Sequence, residues 1–210
     1  MNFEAALTNV ALLWLLTTPH EFAHAWVATK LGDDTPRLQG RVTLNPLAHV
    51  DWIGTVLLPA VTSLIGAGFL GWGKPVSTNP SKLRGGLNGM AIVALAGPAS
   101  NVVFAVILAA VAAATAHANL AVANFAAQGV RLSLYLALFN MIPVPPLDGS
   151  KLLLATRIPV EIYSMVARYG FLLLILLMAY TQVGFTLSAW SFEAARAMLG
   201  WFQWGSALGV

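Results

Sequence analysis

Long apolar runs alternate with short polar breaks along the chain, and the runs set the expected elements. Runs of roughly 18 residues or more can cross a bilayer as helices, and segments 5–29, 88–115, 122–142 and 164–185 qualify. Segment 52–70 is interrupted by Gly54, Pro59, Gly66 and Gly68, so it is expected to enter the membrane and return rather than cross. The tail from Leu187 onward mixes Trp190, Phe192, Trp201, Phe202 and Trp204 with Glu193 and Arg196, as an amphipathic interfacial helix does; a sixth span is the other reading. Short strands are expected at 41–44 and 76–79, each followed or closed by Asn-Pro. The pattern predicts an all-α polytopic membrane protein with a re-entrant segment, short β-strands and flanking C-terminal helices, in one domain over residues 1–210.

Composition narrows this further. Charged residues make up 9% and hydrophobic residues 58% of the 210 positions, against roughly 25% charged in a soluble domain. Mean hydropathy is +0.76, and cysteine is absent, which removes disulfides and thiolate metal sites. Segment 5–29 is not expected to be a cleavable signal peptide, because it lacks a basic start and carries Pro19, His20, Glu21 and His24.

The formal charge is +3, without the basic stripe that nucleic acid binding would need. Eight of the 11 basic residues (Lys30, Arg37, Arg41, Lys74, Lys82, Arg84, Lys151 and Arg157) fall in loops 30–51, 71–87 and 147–163, while loop 116–121 has none. If segment 52–70 returns, all three basic loops share one face, which the positive-inside rule puts in the cytoplasm with the N-terminus outside.

His20-Glu21-Phe22-Ala23-His24 is an HExxH motif. On a helix the spacing of four puts both imidazoles on one face, where they can share a Zn²⁺, with Glu21 near enough to act as a general base. Ionisable groups inside an apolar span need partners or a metal. A catalytic zinc takes a third protein ligand, and Asp148, Asp51, His49, His117, Glu161 and Glu193 are the candidates.

Asp148 follows an apolar run and the prolines 143, 145 and 146, where regular helix is forbidden. Capping of a helix starting near Ser150 is its alternative role. Depth favours ligation: His24 lies about 9 Å and His20 about 15 Å from the level of Lys30. For Asp148 to meet them, the spans ending near 29 and 142 must run parallel with one crossing between them. Charge bias and ligand geometry therefore require the same topology.

HEFAH in an early membrane helix followed by NMIPVPPLDG near the end of a later one resembles the site-2 protease family of intramembrane zinc metalloproteases. GRVTLNPLAHVDWIGT, GWGKPV and AGPASN also resemble recurrent family segments, in particular of small bacterial and archaeal members without a PDZ or CBS module. The resemblance implies a three-helix catalytic core in a prokaryotic cell membrane and one zinc held by His20, His24 and Asp148. It also implies Glu21 as general base and cleavage of single-span membrane proteins within the bilayer. Asn140, matching the Asn upstream of the LDG motif, would hold substrate or the developing oxyanion.

Other marked residues have two readings. His49 is expected as a solvated loop residue or a neighbour of the site, and Gly97 and Ser100 as helix-packing residues. Asn101 is left between an interhelical hydrogen bond and the active cavity. Arg131 must snorkel, pair or face a cavity, with Glu4 as a guessed partner. Segment 71–76 could receive a substrate strand or form a tight turn anchored by Trp72. The competing functions are a metal transporter or a non-proteolytic membrane-helix chaperone, against which the confinement of other ligands to loops and the presence of Glu21 argue.

Overall fold

Leucine, alanine and valine dominate the apolar runs, and in hydrocarbon a helix satisfies every backbone N–H and C=O within one segment. The computed structural model describes residues 3–64 and 71–202. Its helices are α1 (Phe3–Lys30), α2 (Thr35–Leu38), α3 (Leu58–Leu64), α4 (Leu87–Thr115), α5 (Leu120–Asn140), α6 (Asp148–Ala155), α7 (Val160–Tyr180) and α8 (Val183–Trp201). Three helical segments, Leu87–Thr115, Leu120–Asn140 and Glu161–Tyr180, are long and apolar enough to cross a membrane. Helix α1 has the length, about 42 Å at 1.5 Å per residue, but carries Glu4, His20, Glu21, His24 and Lys30 and is not among those three.

Helices α1, α4 and α5 form the core. His24 meets the carbonyl of Val93, whereas Gly129 of α5 lies against both Leu12 and Leu108. As α1 is followed from residue 24 to residue 12, its neighbours on α4 therefore advance from 93 to 108, so the two run antiparallel. Ser133 Oγ donates to the Asn101 carbonyl at 2.8 Å, which makes α5 antiparallel to α4 in turn. Hence α1 and α5 run parallel, as the ligand geometry required. Leu13, Leu16, Ala105, Ala109, Ala126 and Val130 fill the space between them.

The segments between α1 and α4 follow α1 rather than leaving it. Trp14 Nε1 donates to the Pro46 carbonyl at 3.3 Å, and Trp14 is 16 residues, about 24 Å along the helix, before Lys30. The returning chain passes Leu13 at Gly71, Thr17 at Gly73 and Glu21 at Val76, and reaches Leu31 at Arg84. Buried Arg41 pins the two limbs together by donating to the carbonyls of Ala48 and Lys74. Near the helix end, Asp33 accepts from the N–H groups of Asn79 at 2.6 Å and Thr35 at 3.0 Å. Burial raises the Asp33 pKa, but these donors outweigh it and hold the carboxyl below the ordinary carboxylate range.

Several expectations change here. No β-strand occurs among the described residues. Residues 76–79 form no strand: the Val76 N–H goes to the Glu21 carboxylate and the Asn79 N–H to Asp33, and Pro75 has none, so no partner strand is recruited. Segment 52–70 becomes a π-helical stretch at Trp52–Leu57 running into α3, with 65–70 outside the described residues. Arg131 donates to Ser188 Oγ at 3.2 Å and lies over the Phe192 ring, which fixes α8 against α5; no Arg131–Glu4 pair forms among the described residues. His49 is fully buried, with Nε2 2.8 Å from the Thr43 carbonyl, so it is neither solvated nor at the metal-ligand cluster.

Replacing Arg41 with methionine removes both clamps and is expected to cost about 2 kcal/mol or more. Denaturant unfolding in detergent measures this, with faster proteolysis within 71–79 accompanying it. Unchanged stability would show that the limbs are held by other contacts.

Candidate metal centre

Thr17 and Thr18 hydroxyls donate back to the Leu13 and Trp14 carbonyls, and helix α1 continues through Pro19 into the HExxH turn. The spacing of four then sets the two imidazoles edge to face, with centroids 4.7 Å apart and an interplanar angle of 82°. Their Nε2 atoms are 3.0 Å apart. Asp148 Oδ2 completes a triangle, 3.1 Å from His20 Nε2 and 3.0 Å from His24 Nε2. All three residues are buried. Tetrahedral zinc with bonds of about 2.0–2.1 Å holds its ligand atoms about 3.3 Å apart, so the triangle fits such an ion.

Surrounding groups fix this arrangement. His24 Nδ1 lies 2.7 Å from the Val93 carbonyl, which can only accept, so Nδ1 carries a proton and, in the neutral ring, Nε2 presents its lone pair to the triangle. Asp148 opens α6, whose N-cap is Leu147, and its carboxylate makes no cap bond. The Lys151 ammonium instead takes Oδ1 at 2.9 Å, leaving Oδ2 to the imidazoles. Gly149 allows the turn, since a Cβ there would strike the Met141 carbonyl.

Gly97 matters most sterically. A Cβ on it would lie 2.6 Å from His20 Nε2 and collide with His24 Nε2. The expected packing role is real, but the surface that Gly97 admits is the imidazole pair itself. Lys151, counted in the sequence only as loop charge, and the Val76 N–H, which donates to Glu21 Oε2 at 3.0 Å, are further parts of the site that residue type alone did not mark.

A cavity of about 440 Å³ opens on the triangle, lined by Glu21, Trp72, Asn101 and Asn140 and by Phe171 and Leu174 of α7. Trp72 meets Phe171 edge to face at 6.2 Å. Asn140 Nδ2 donates to the Leu136 carbonyl at 3.0 Å. Of the other ligand candidates, Asp51 caps the Trp52–Leu57 turns through the N–H groups of Ile53 and Gly54, and His117, Glu161 and Glu193 are exposed. Among the described residues, His20, His24 and Asp148 form the group that could hold a metal.

Gly97→Ala is expected to lower bound metal from about one ion per chain to a small fraction of that, because the three donors cannot close with a methyl group between the rings. Elemental analysis checks this, with circular dichroism confirming that the helices persist. A wild-type metal content would contradict it.

No family model and no solved structure matches the chain. Two curated relatives do. It is 40% identical to "Putative zinc metalloprotease YwhC" of Bacillus subtilis (strain 168), a match covering 65% of this chain and 63% of that protein, so the chain spans less than two thirds of YwhC. It is 32% identical to "Putative zinc metalloprotease Rip2" of Mycolicibacterium smegmatis (strain ATCC 700084 / mc(2)155) over 96% of this chain and 75% of that protein. With its HExxH and LDG motifs brought into one buried donor triangle, the chain belongs to the site-2 protease family of zinc metalloproteases, and its cofactor is zinc.

Proposed function

We propose that this protein cleaves single-span membrane proteins inside a prokaryotic cell membrane. The observation that carries this is the position of the donor triangle, well before the end of α1 and buried within the helix core. His20 and His24 lie ten and six residues before the end of α1, about 15 and 9 Å along it, between helices that bear apolar side chains on their outer faces. A peptide bond cut there comes from a segment that is itself in the bilayer.

In this reading His20, His24 and Asp148 hold the zinc, which supplies a Lewis acid for the scissile carbonyl and lowers the pKa of attacking water. Glu21 is the general base. Its Oε2 is anchored by the Val76 N–H, so the carboxylate is held in place to take a proton and return it to the leaving amine. Asn140 lends its second amide N–H and its carbonyl to substrate. Lys151 holds Asp148 as a one-oxygen ligand and keeps a cation beside the developing negative charge.

The described segments 41–64 and 71–78 follow α1 as a re-entrant wall that lets polar backbone and water lie at membrane depth. This extends the expected dip beyond 52–70 at both ends. The basic loops then face the cytoplasm. The relatives' names do not favour a metal transporter or a chaperone, and no second group of metal donors occurs among the described residues.

Glu21→Gln is expected to keep zinc at the wild-type level while lowering cleavage of a fluorogenic single-span substrate by about 10²–10⁴-fold. Zinc analysis and a reconstituted cleavage assay measure the two effects. Full activity in this variant would remove Glu21 from the base role.

A further inference from the structure

Helix α4 turns a buried stripe of Met90, Val93, Gly97, Asn101, Ala105 and Leu108 toward its neighbours, and Asn101 is the one polar side chain of these six. It is 1% exposed and lines the cavity that holds the metal donors. Neither its Nδ2 nor its Oδ1 has a hydrogen-bond partner among the described residues. The contact from Ser133 uses the Asn101 backbone carbonyl, so clamping α4 to α5 leaves the side chain out. A buried amide is costly unless paired, and leucine, of similar size, would fill the same space without that cost. Packing therefore does not account for an asparagine here.

We propose that Asn101 is a substrate-binding residue that pairs with the main chain of the unwound substrate, an inference that rests on the proteolytic reading above. A primary amide offers a donor and an acceptor together, the complement of a peptide group. An unwound segment in an apolar cavity carries unpaired N–H and C=O groups, which need such complements. Asn101 lies one turn beyond Gly97, on whose face the two imidazoles rest, and side chains on a helix lean toward its N-terminus. Its amide thus extends back toward the metal donors from the side farther from Lys30.

Asn140 stands on the other side. Ser133, level with Asn101, is seven residues before Asn140, or about 10 Å along α5. Extended peptide rises about 3.3 Å per residue, so about three substrate residues cover this axial interval, which includes the level of the donor triangle beside Gly97. Asn140 already gives one N–H to the Leu136 carbonyl, whereas both polar atoms of Asn101 await a partner.

The test compares Asn101→Leu and Asn101→Ala with wild type in the full chain, reconstituted with a fluorogenic single-span peptide. For Asn101→Leu, zinc content and unfolding temperature are expected at or above wild type, with kcat/KM lowered about tenfold or more. In the inactive Glu21→Gln background the same substitution is expected to weaken binding of that peptide, read by fluorescence anisotropy. Cleavage and binding within about twofold of wild type in both variants would overturn the proposal. So would activity lost only in step with zinc or thermal stability, since that marks a structural residue. A wild type that holds zinc yet cleaves nothing would end the proteolytic reading, and the anisotropy measurement would still decide Asn101.

Discussion

Two imidazoles and a carboxylate, buried with their donor atoms 3.0–3.1 Å apart, cannot persist in an apolar helix core without compensation. Nδ1 of His24 is committed to the Val93 carbonyl, so in the neutral ring the nitrogen facing Asp148 presents a lone pair. In the proposed reading a divalent cation at the centre would turn that crowding into ligation, and its binding free energy would contribute to the fold. The rest of the core follows from this. Parallel α1 and α5 bring residues 128 positions apart in sequence to one point, and α4 must be bare at Gly97 to let the rings close.

The polar wall beside the site solves a second problem. In the proposed reading, backbone in hydrocarbon must be hydrogen-bonded, yet a protease site there needs irregular chain and water. The limbs around Trp52 and Gly71 reconcile these by spending their N–H groups on local acceptors: Trp72 on the Gly54 carbonyl, Lys74 on His49 and Val76 on Glu21. Arg41 adds the carbonyls of Ala48 and Lys74 to the same network. Structure at the wall and orientation of Glu21 are thus one set of hydrogen bonds.

The helices were legible because apolar length and period are local properties. Expected segments 88–115, 122–142 and 164–185 differ from α4, α5 and α7 by a few residues at their ends. The convergence of the HExxH histidines with Asp148 is legible because a spacing of four matches the helical turn and the prolines and parallel spans place that carboxylate beside it; their ligation of zinc belongs to the proposed function. What escaped depends on partners distant in sequence. The local pattern at Val76 predicts strand, but its N–H serves a side chain 55 residues earlier. His49, expected as a solvated loop residue or a neighbour of the site, is buried instead, because the chain folds back along α1. Gly97 carries no donor, so nothing in its type marks it as a site residue; the sharper hint was a Gly-Pro pair inside an apolar span.

The most direct test of the donor triangle is zinc content and zinc X-ray absorption of the purified protein, wild type against Asp148→Ala. About one zinc per chain in wild type, with imidazole scattering and nitrogen or oxygen neighbours at about 2.0–2.1 Å, and loss of that zinc without the carboxylate, is the expected result. Zinc retained at full occupancy with an unchanged shell in Asp148→Ala would contradict it and return Asp148 to a structural role at the start of α6.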